Sequence, residues 1–358
     1  MNKIVIGILA LLLTIQGQAQ QKTENLIIIT LDGMRWQEVF KGADSLLIRD
    51  STYTRDRKEL QEKFWSSNPD ERRRKLFPFI WNTIGKEGQL YGNRQAGNKV
   101  DNANPYWFSY PGYNEIFTGY PDTAVNSNDK IYNRNENVLE FINRQPAYKG
   151  KVAVFATWDV FPYILNQPRS GIYVNADADS IPGLNPSLKL LNDMQYLAPR
   201  PIGVRPDLLT YFAAREYLKA KQPKVLYIAF DETDDFAHSG MYDQYLGSAH
   251  AQDAMIADLW KLVQSMNSYQ NKTTLIITCD HGRGDTIKEE WKHHGQKIKD
   301  AHEIWIAAIG PDTPADGVVK TNSQLWQAQL ASTFARVLGL NFTPAHPHQE
   351  PVKSIYTK

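Results

Sequence analysis

Three short, nearly unbroken apolar runs each lead to an aspartate: Leu26-Ile27-Ile28-Ile29-Thr30-Leu31 before Asp32, Lys224-Val225-Leu226-Tyr227-Ile228-Ala229-Phe230 before Asp231, and Thr273-Thr274-Leu275-Ile276-Ile277-Thr278 just before Asp280. A fourth run, Val152-Ala153-Val154-Phe155-Ala156-Thr157, has the same character. Hydrophobicity that is continuous rather than alternating marks strands buried on both faces. Helix-like segments separate the runs, among them Leu208 to Ala220 and Ser248 to Ser265, the second with Ala254, Ile256, Ala257, Leu259, Trp260 and Leu262 in a helical stripe. Strands alternating with helices predict a three-layer α/β/α sandwich around a mainly parallel sheet. One more strand is expected through Ile304-Trp305-Ile306-Ala307-Ala308-Ile309, closed by Gly310-Pro311.

Two stretches break the alternation. Residues 43–76 are dense in charge and contain Glu71-Arg72-Arg73-Arg74-Lys75, read as a solvated helical face; residues 166–206 are rich in Pro, Asn and Gly. Both are read as cap insertions into one catalytic domain spanning 20–358. Residues 1–19 read as a secretory signal peptide: Lys3 precedes an apolar run from Ile4 to Ile15, and Gly17 and Ala19 fit a cleavage site. That run, about 12 residues, is too short to span a bilayer. The mature chain is therefore expected to be exported, periplasmic or secreted, and without a transmembrane segment. With 40 basic against 39 acidic side chains, charge offers no field for a nucleic-acid polymer or an anionic membrane. Cys279 is the sole cysteine, so no intramolecular disulfide forms, and its place at a strand end suits a buried small hydrophobe.

The chemistry sits at the strand ends. Asp234 and His238 stand four apart after one run, and Asp280-His281 follow another. Carboxylate and imidazole are the ligands a zinc-like cation takes, and the carboxyl ends of parallel strands converge on one edge of the sheet, so two such pairs predict a two-metal site. Zinc suits this ligand set, and manganese also accepts it. Asp32 is a third carboxylate in an equivalent position, although Asp before Gly33 also makes turns. A third imidazole for the Asp234/His238 pair can come from His293 or His294; His294 is favoured because Gly295 permits a tight turn that aims the ring inward. Ser109-Tyr110-Pro111-Gly112 opens a helix running toward Thr118 and stopping at Gly119. Ser109 there is either an ordinary N-cap or a hydroxyl held where helix-start amides receive an anion. The aromatic cluster Tyr106, Trp107, Phe108, Tyr110 and Tyr113 serves either as a stacking wall or, for at least half of it, as packing under the helix.

Asp32, Ser109 with Tyr110-Pro111-Gly112, Asp234-x-x-x-His238, Asp280-His281-Gly282 and His294-Gly295 together resemble the alkaline phosphatase superfamily, in its nucleotide pyrophosphatase/phosphodiesterase-like or phosphoglycerate-mutase-like branch. The resemblance implies an alkaline-phosphatase-like fold and a metal-dependent phosphohydrolase acting on small phosphate monoesters or diesters through a phosphoserine. It assigns Asp234, His238 and His294 to one divalent metal ion, and Asp32, Ser109, Asp280 and His281 to the other. It also implies that Asn128, about twenty residues past the nucleophile, holds a phosphoryl oxygen. The phosphodiesterase branch has Thr-Phe-Pro-Asn where this chain has Ser109-Tyr110-Pro111-Gly112. An arginine clamp for a phosphate dianion is not evident, Arg283 and Arg35 being the nearest candidates. A sulfatase or phosphonate hydrolase is an alternative, although the Cys/Ser-x-Pro-x-Arg motif of sulfatases here ends in Tyr113. A mutase-like phosphotransferase is another, and an inactive metal- or glycan-binding protein is the least favoured.

Overall fold

The computed structural model describes residues 22–183 and 185–357; the leader read over residues 1–19 lies outside them. The strands in chain order are β1 (Asn25–Leu31), β2 (Gln89–Tyr91), β3 (Asn98–Asp101), β4 (Val152–Ala156), β5 (Tyr173–Ala176), β6 (Val225–Phe230), β7 (Thr273–Thr278), β8 (Glu303–Ile304), β9 (Ile306–Ile309), β10 (Gly317–Val318) and β11 (Ser323–Trp326). Eight form one sheet in the order β10-β2-β9-β7-β1-β6-β4-β5, and β11-β3-β8 form a small second sheet. In the large sheet every pairing from β5 to β7 is parallel and β9 runs against both its neighbours; in the small sheet β8 runs antiparallel to β3. Every residue of β1, β6 and β7 is buried, as their unbroken apolar sequences require.

Side-chain alternation shows that helices cover both faces. Val154 pairs with Tyr227 and Phe155 with Ile228, so Tyr227 and Phe155 point to opposite sides. Tyr227 meets Phe117 of the helix Ser109–Thr118 at 4.7 Å between ring centroids, while Phe155 meets Tyr217 of the helix Asp207–Lys221 at 5.2 Å. The expected three layers are thus present. The second predicted helix begins earlier than its apolar stripe, spanning Tyr242–Gln264. Among the described residues no helix is long and apolar enough to cross a membrane.

Residues 43–76 form the helices Arg57–Phe64 and Pro69–Leu76. The basic run is not simply a solvated face: the Arg72 Nε donates to the Lys41 carbonyl at 2.7 Å, and the Arg73 guanidinium lies 3.6 Å from the Trp81 ring centroid. Residues 166–206 contribute the edge strand β5 as well as the helix Pro186–Leu197.

The strand expected over 304–309 is broken at Trp305 into β8 and β9, which belong to different sheets. Trp305 is fully buried; its Nε1 donates to the Met34 carbonyl at 2.9 Å, and its own carbonyl accepts from Thr278 Oγ1 at 2.7 Å. An indole that must both bury its rings and reach a carbonyl turns the chain out of the main sheet, a tertiary demand that hydrophobic periodicity does not encode. Trp305→Ala is expected to cost about 3–5 kcal/mol. Denaturant unfolding measures it, and a loss under about 1 kcal/mol would show that the junction collapses around the gap.

Candidate active site

In a parallel sheet all strands deliver their carboxyl ends to one edge. Thr30 is opposite Thr278, so Asp32 and Asp280, each two residues on, leave β1 and β7 side by side. His281 follows, with its Nδ1 2.9 Å from the Gly282 carbonyl. That acceptor fixes the proton on Nδ1 and leaves Nε2 with a free lone pair. This Nε2 lies 3.4 Å from Asp32 Oδ1 and 3.4 Å from Asp280 Oδ2. The other oxygens of the two carboxylates are engaged: Tyr113 OH donates to Asp32 Oδ2 at 2.8 Å, and the Gly33 amide donates to Asp280 Oδ1 at 3.1 Å.

Asp32 Oδ1 and Asp280 Oδ2 are buried with no hydrogen-bond partner among the described residues. Burial and then the neighbouring Asp234 charge push the Asp32 carboxyl well above the usual carboxylate range; burial and then Asp32 do the same to Asp280. Two buried acids that repel each other and aim orphaned oxygens at one imidazole nitrogen form a set that a divalent cation fits.

Ser109 joins this set from the other side. It is the first residue of its helix; Phe108 is the N-cap and makes no side-chain capping bond. The Ser109 hydroxyl is thus not spent on capping, and its Oγ lies 3.4 Å from His281 Nε2. The Tyr110 amide is taken by Asn128 Oδ1 at 3.0 Å, which places the exposed Asn128 at the Ser109 end of the helix and leaves its Nδ2 group as a donor. A Cβ on Gly112 would stand 2.5 Å from the Asp280 carbonyl oxygen. Glycine is what lets this helix lie against the backbone at the end of β7.

The second Asp/His pair lies on the helix Glu232–His238, where the i, i+4 spacing puts both side chains on one face. His238 Nε2 is 3.1 Å from Asp234 Oδ2 and 2.9 Å from His294 Nε2. Nitrogens presenting lone pairs at that separation need a proton or a cation between them. His294 rather than His293 enters the site: its ring stacks on His281 at 3.9 Å, its Nδ1 is 3.3 Å from the Trp107 carbonyl, and Gly295 behind it has φ +104°. His293 is exposed. Burial and then the facing His281 hold the His294 imidazole well below its ordinary value, in the neutral form a ligand needs. Burial raises the Asp234 carboxyl, but Arg283, His238 and His294 outweigh it and hold it well below the ordinary range. The two clusters touch: His281 Nε2 is 3.7 Å from Asp234 Oδ1.

The buried partners of several groups here are not readable from the sequence. Arg283 is fully buried, pairs with the Asp234 carboxylate, and donates to the Asp234 carbonyl at 3.0 Å and the Lys292 carbonyl at 2.7 Å. Arg35 is equally buried against Glu38 and the Gly284 carbonyl. Both candidate phosphate clamps are therefore committed internally. Thr233 Oγ1 supports the Asp32 carbonyl at 2.6 Å. The aromatic cluster divides, with Tyr110 and Tyr113 buried in packing and Tyr106, Trp107 and Phe108 half-buried. Gly112→Ala is expected to lift the helix from β7 and lower kcat by about 100-fold, as an ångström-scale misplacement of a nucleophile does. Unchanged turnover in a folded Gly112→Ala protein would show that the close approach is not needed.

Among curated proteins none matches this chain. Its fold is shared with solved structures at low identity. Alkaline phosphatase PafA has a TM-score of 0.61 at 10% identity, covering 94% of this chain and 100% of that one. The phosphonate monoester hydrolase of Agrobacterium radiobacter scores 0.60 at 12% identity, covering 92% and 76%. An inactive variant of murine ectonucleotide pyrophosphatase/phosphodiesterase 5, in complex with AMP, scores 0.53 at 14% identity, covering 91% and 97%. Residues 47–332 match the type I phosphodiesterase/nucleotide pyrophosphatase family, and the chain therefore belongs to that family, within the alkaline phosphatase superfamily.

Proposed function

We propose that the protein is an exported phosphoester hydrolase that works through a phosphoserine on Ser109 with two divalent cations. The observation that carries this is the approach of Ser109 Oγ to His281 Nε2, where the orphaned oxygens of Asp32 and Asp280 also converge. Asp32, Asp280 and His281 would hold one ion beside Ser109; Asp234, His238 and His294 would hold the other. Such ions, zinc by the donor set with manganese the alternative, neutralise phosphoryl oxygens and lower the pKa of a nearby hydroxyl or water.

The protein groups then have definite tasks. Ser109 Oγ attacks phosphorus in line; the Oγ–P bond forms as the bond to the leaving oxygen breaks, the Ser109 proton passes to solvent, and the leaving oxygen takes up a proton from water to depart as the alcohol. Water next attacks the phosphoserine from the side the alcohol left, the Oγ–P bond breaks, and Ser109 regains a proton. Asn128 supplies a hydrogen bond to an equatorial oxygen. His238, with its side chain 42% exposed against none for His281, lies at the open side where leaving group and water pass. Export rests on the leader-like sequence over residues 1–19.

Arg283 and Arg35 bear on the substrate. Neither is free to meet the second negative charge of a monoester, which favours a diester. A chromogenic diester should then show the higher kcat/KM against the monoester and sulfate ester of the same alcohol, each assayed with added zinc; a monoester preference would reverse the assignment. Ser109→Ala is expected to lower kcat by about 10⁴-fold or more while bound metal is retained. Near-native rates in that variant would remove Ser109 as nucleophile. Asp234→Ala and His294→Ala should each lose metal and activity together, measured by elemental analysis of the purified proteins. Full occupancy in both would show that these residues hold no ion.

A further inference from the structure

Tyr113 lies one helical turn beyond Ser109, on the same face of the same helix, and is fully buried. Its hydroxyl donates to Asp32 Oδ2 at 2.8 Å, while its ring packs edge-on against Phe161 at 4.7 Å. Asp32 Oδ2 is satisfied by this bond and Asp32 Oδ1 is left without a partner, 3.4 Å from His281 Nε2. A carboxylate with one oxygen tied to a rigid donor has one oxygen left to offer and little freedom to rotate away.

We propose that Tyr113 is a positioning residue that presets Asp32 as a one-oxygen ligand and couples the nucleophile helix to the metal-binding edge of the sheet. The inference rests on the two-cation reading above. The strand end that carries Asp32 and the helix that carries Ser109 come from segments far apart in the chain, and this hydrogen bond joins them directly. A shift of the helix that carries Ser109 then also moves the hydroxyl that donates to Asp32, so nucleophile and ligand stay in register. The phenol reaches no reacting atom and acts only through Asp32. A helix held merely by apolar packing would need the ring of Tyr113 but not its hydroxyl.

Tyr113→Phe removes the oxygen and keeps the ring against Phe161, so the fold is retained and is checked by circular dichroism. Zinc affinity is measured by competition with a chromogenic chelator on the full-length protein, without reference to turnover. Loss of an outer partner of a metal ligand weakens binding by about 10- to 100-fold. The expected result is such a loss for one of the two ions, with the other unchanged and with kcat recovering as zinc is raised. Tyr269→Phe, which deletes a buried hydroxyl bonded to the Pro223 carbonyl at 2.6 Å, should leave both affinities at wild-type values. In an Asp32→Asn background Tyr113→Phe should cause no further loss, because the hydroxyl acts through Asp32. Wild-type affinity for both ions in folded Tyr113→Phe overturns the proposal while leaving the two-cation reading intact. A wild-type protein that binds no zinc overturns both. An equal loss in the Asp32→Asn background shows that Tyr113 acts by another route and overturns it as well.

Discussion

Crowding of negative charge at one edge of the sheet is the constraint around which the rest is arranged. Asp32 and Asp280 leave neighbouring strands side by side, both fully buried, with Asp234 close enough to raise the Asp32 carboxyl further. Desolvation alone disfavours each charge, and mutual repulsion adds to it. The chain answers part of this with its own groups: Arg283 on Asp234, Tyr113 on Asp32, the Gly33 amide on Asp280. Two oxygens remain unanswered, and they face the same imidazole nitrogen.

The helix Ser109–Thr118 is fixed near this edge by a buried polar network. Glu115 accepts from the Ala103 amide at 2.8 Å, the Asn104 amide at 2.8 Å and the Ala328 amide at 2.9 Å, and burial pushes its carboxyl up to about 7. Asn102 and Gln327 meet each other at 2.7 Å, and both donate to the Asp280 carbonyl, at 2.7 and 2.8 Å. The helix that carries Ser109 is thus tied through Glu115 to residues 103 and 104 and to Ala328, next to the two side chains that hold the Asp280 carbonyl. Satisfied networks of this kind specify one arrangement where apolar packing would allow several.

Sequence made the strands and the ligand types legible because both are local signals. Continuous β-branched runs read directly as β1, β6 and β7, and the four-residue spacing of Asp234 and His238 is visible in the sequence, although the helix that carries both is not. Gly295 pointed to His294 through its turn, and the left-handed Gly119, with φ +68°, ends the helix where the sequence placed its stop. What stayed hidden was long-range. Arg283 looked like a free cation near the motif, yet it belongs to Asp234, 49 residues away in the chain. The break at Trp305 depends on Met34 and Thr278, and nothing within the run 304–309 announces it.

The departures around Ser109 are explained by the same geometry. Where a phosphodiesterase-type Thr-Phe-Pro-Asn would put a polar side chain, Gly112 faces the Asp280 carbonyl with room for hydrogen only. Where a sulfatase would put arginine, Tyr113 turns inward to Asp32. An arginine in that buried place would add a guanidinium beside these carboxylates and could engage both oxygens of Asp32. A neutral donor binds one oxygen and leaves the other. The tetrapeptide and its neighbour are therefore shaped by the acids behind them, while Asn128 arrives from a separate loop to meet the Tyr110 amide.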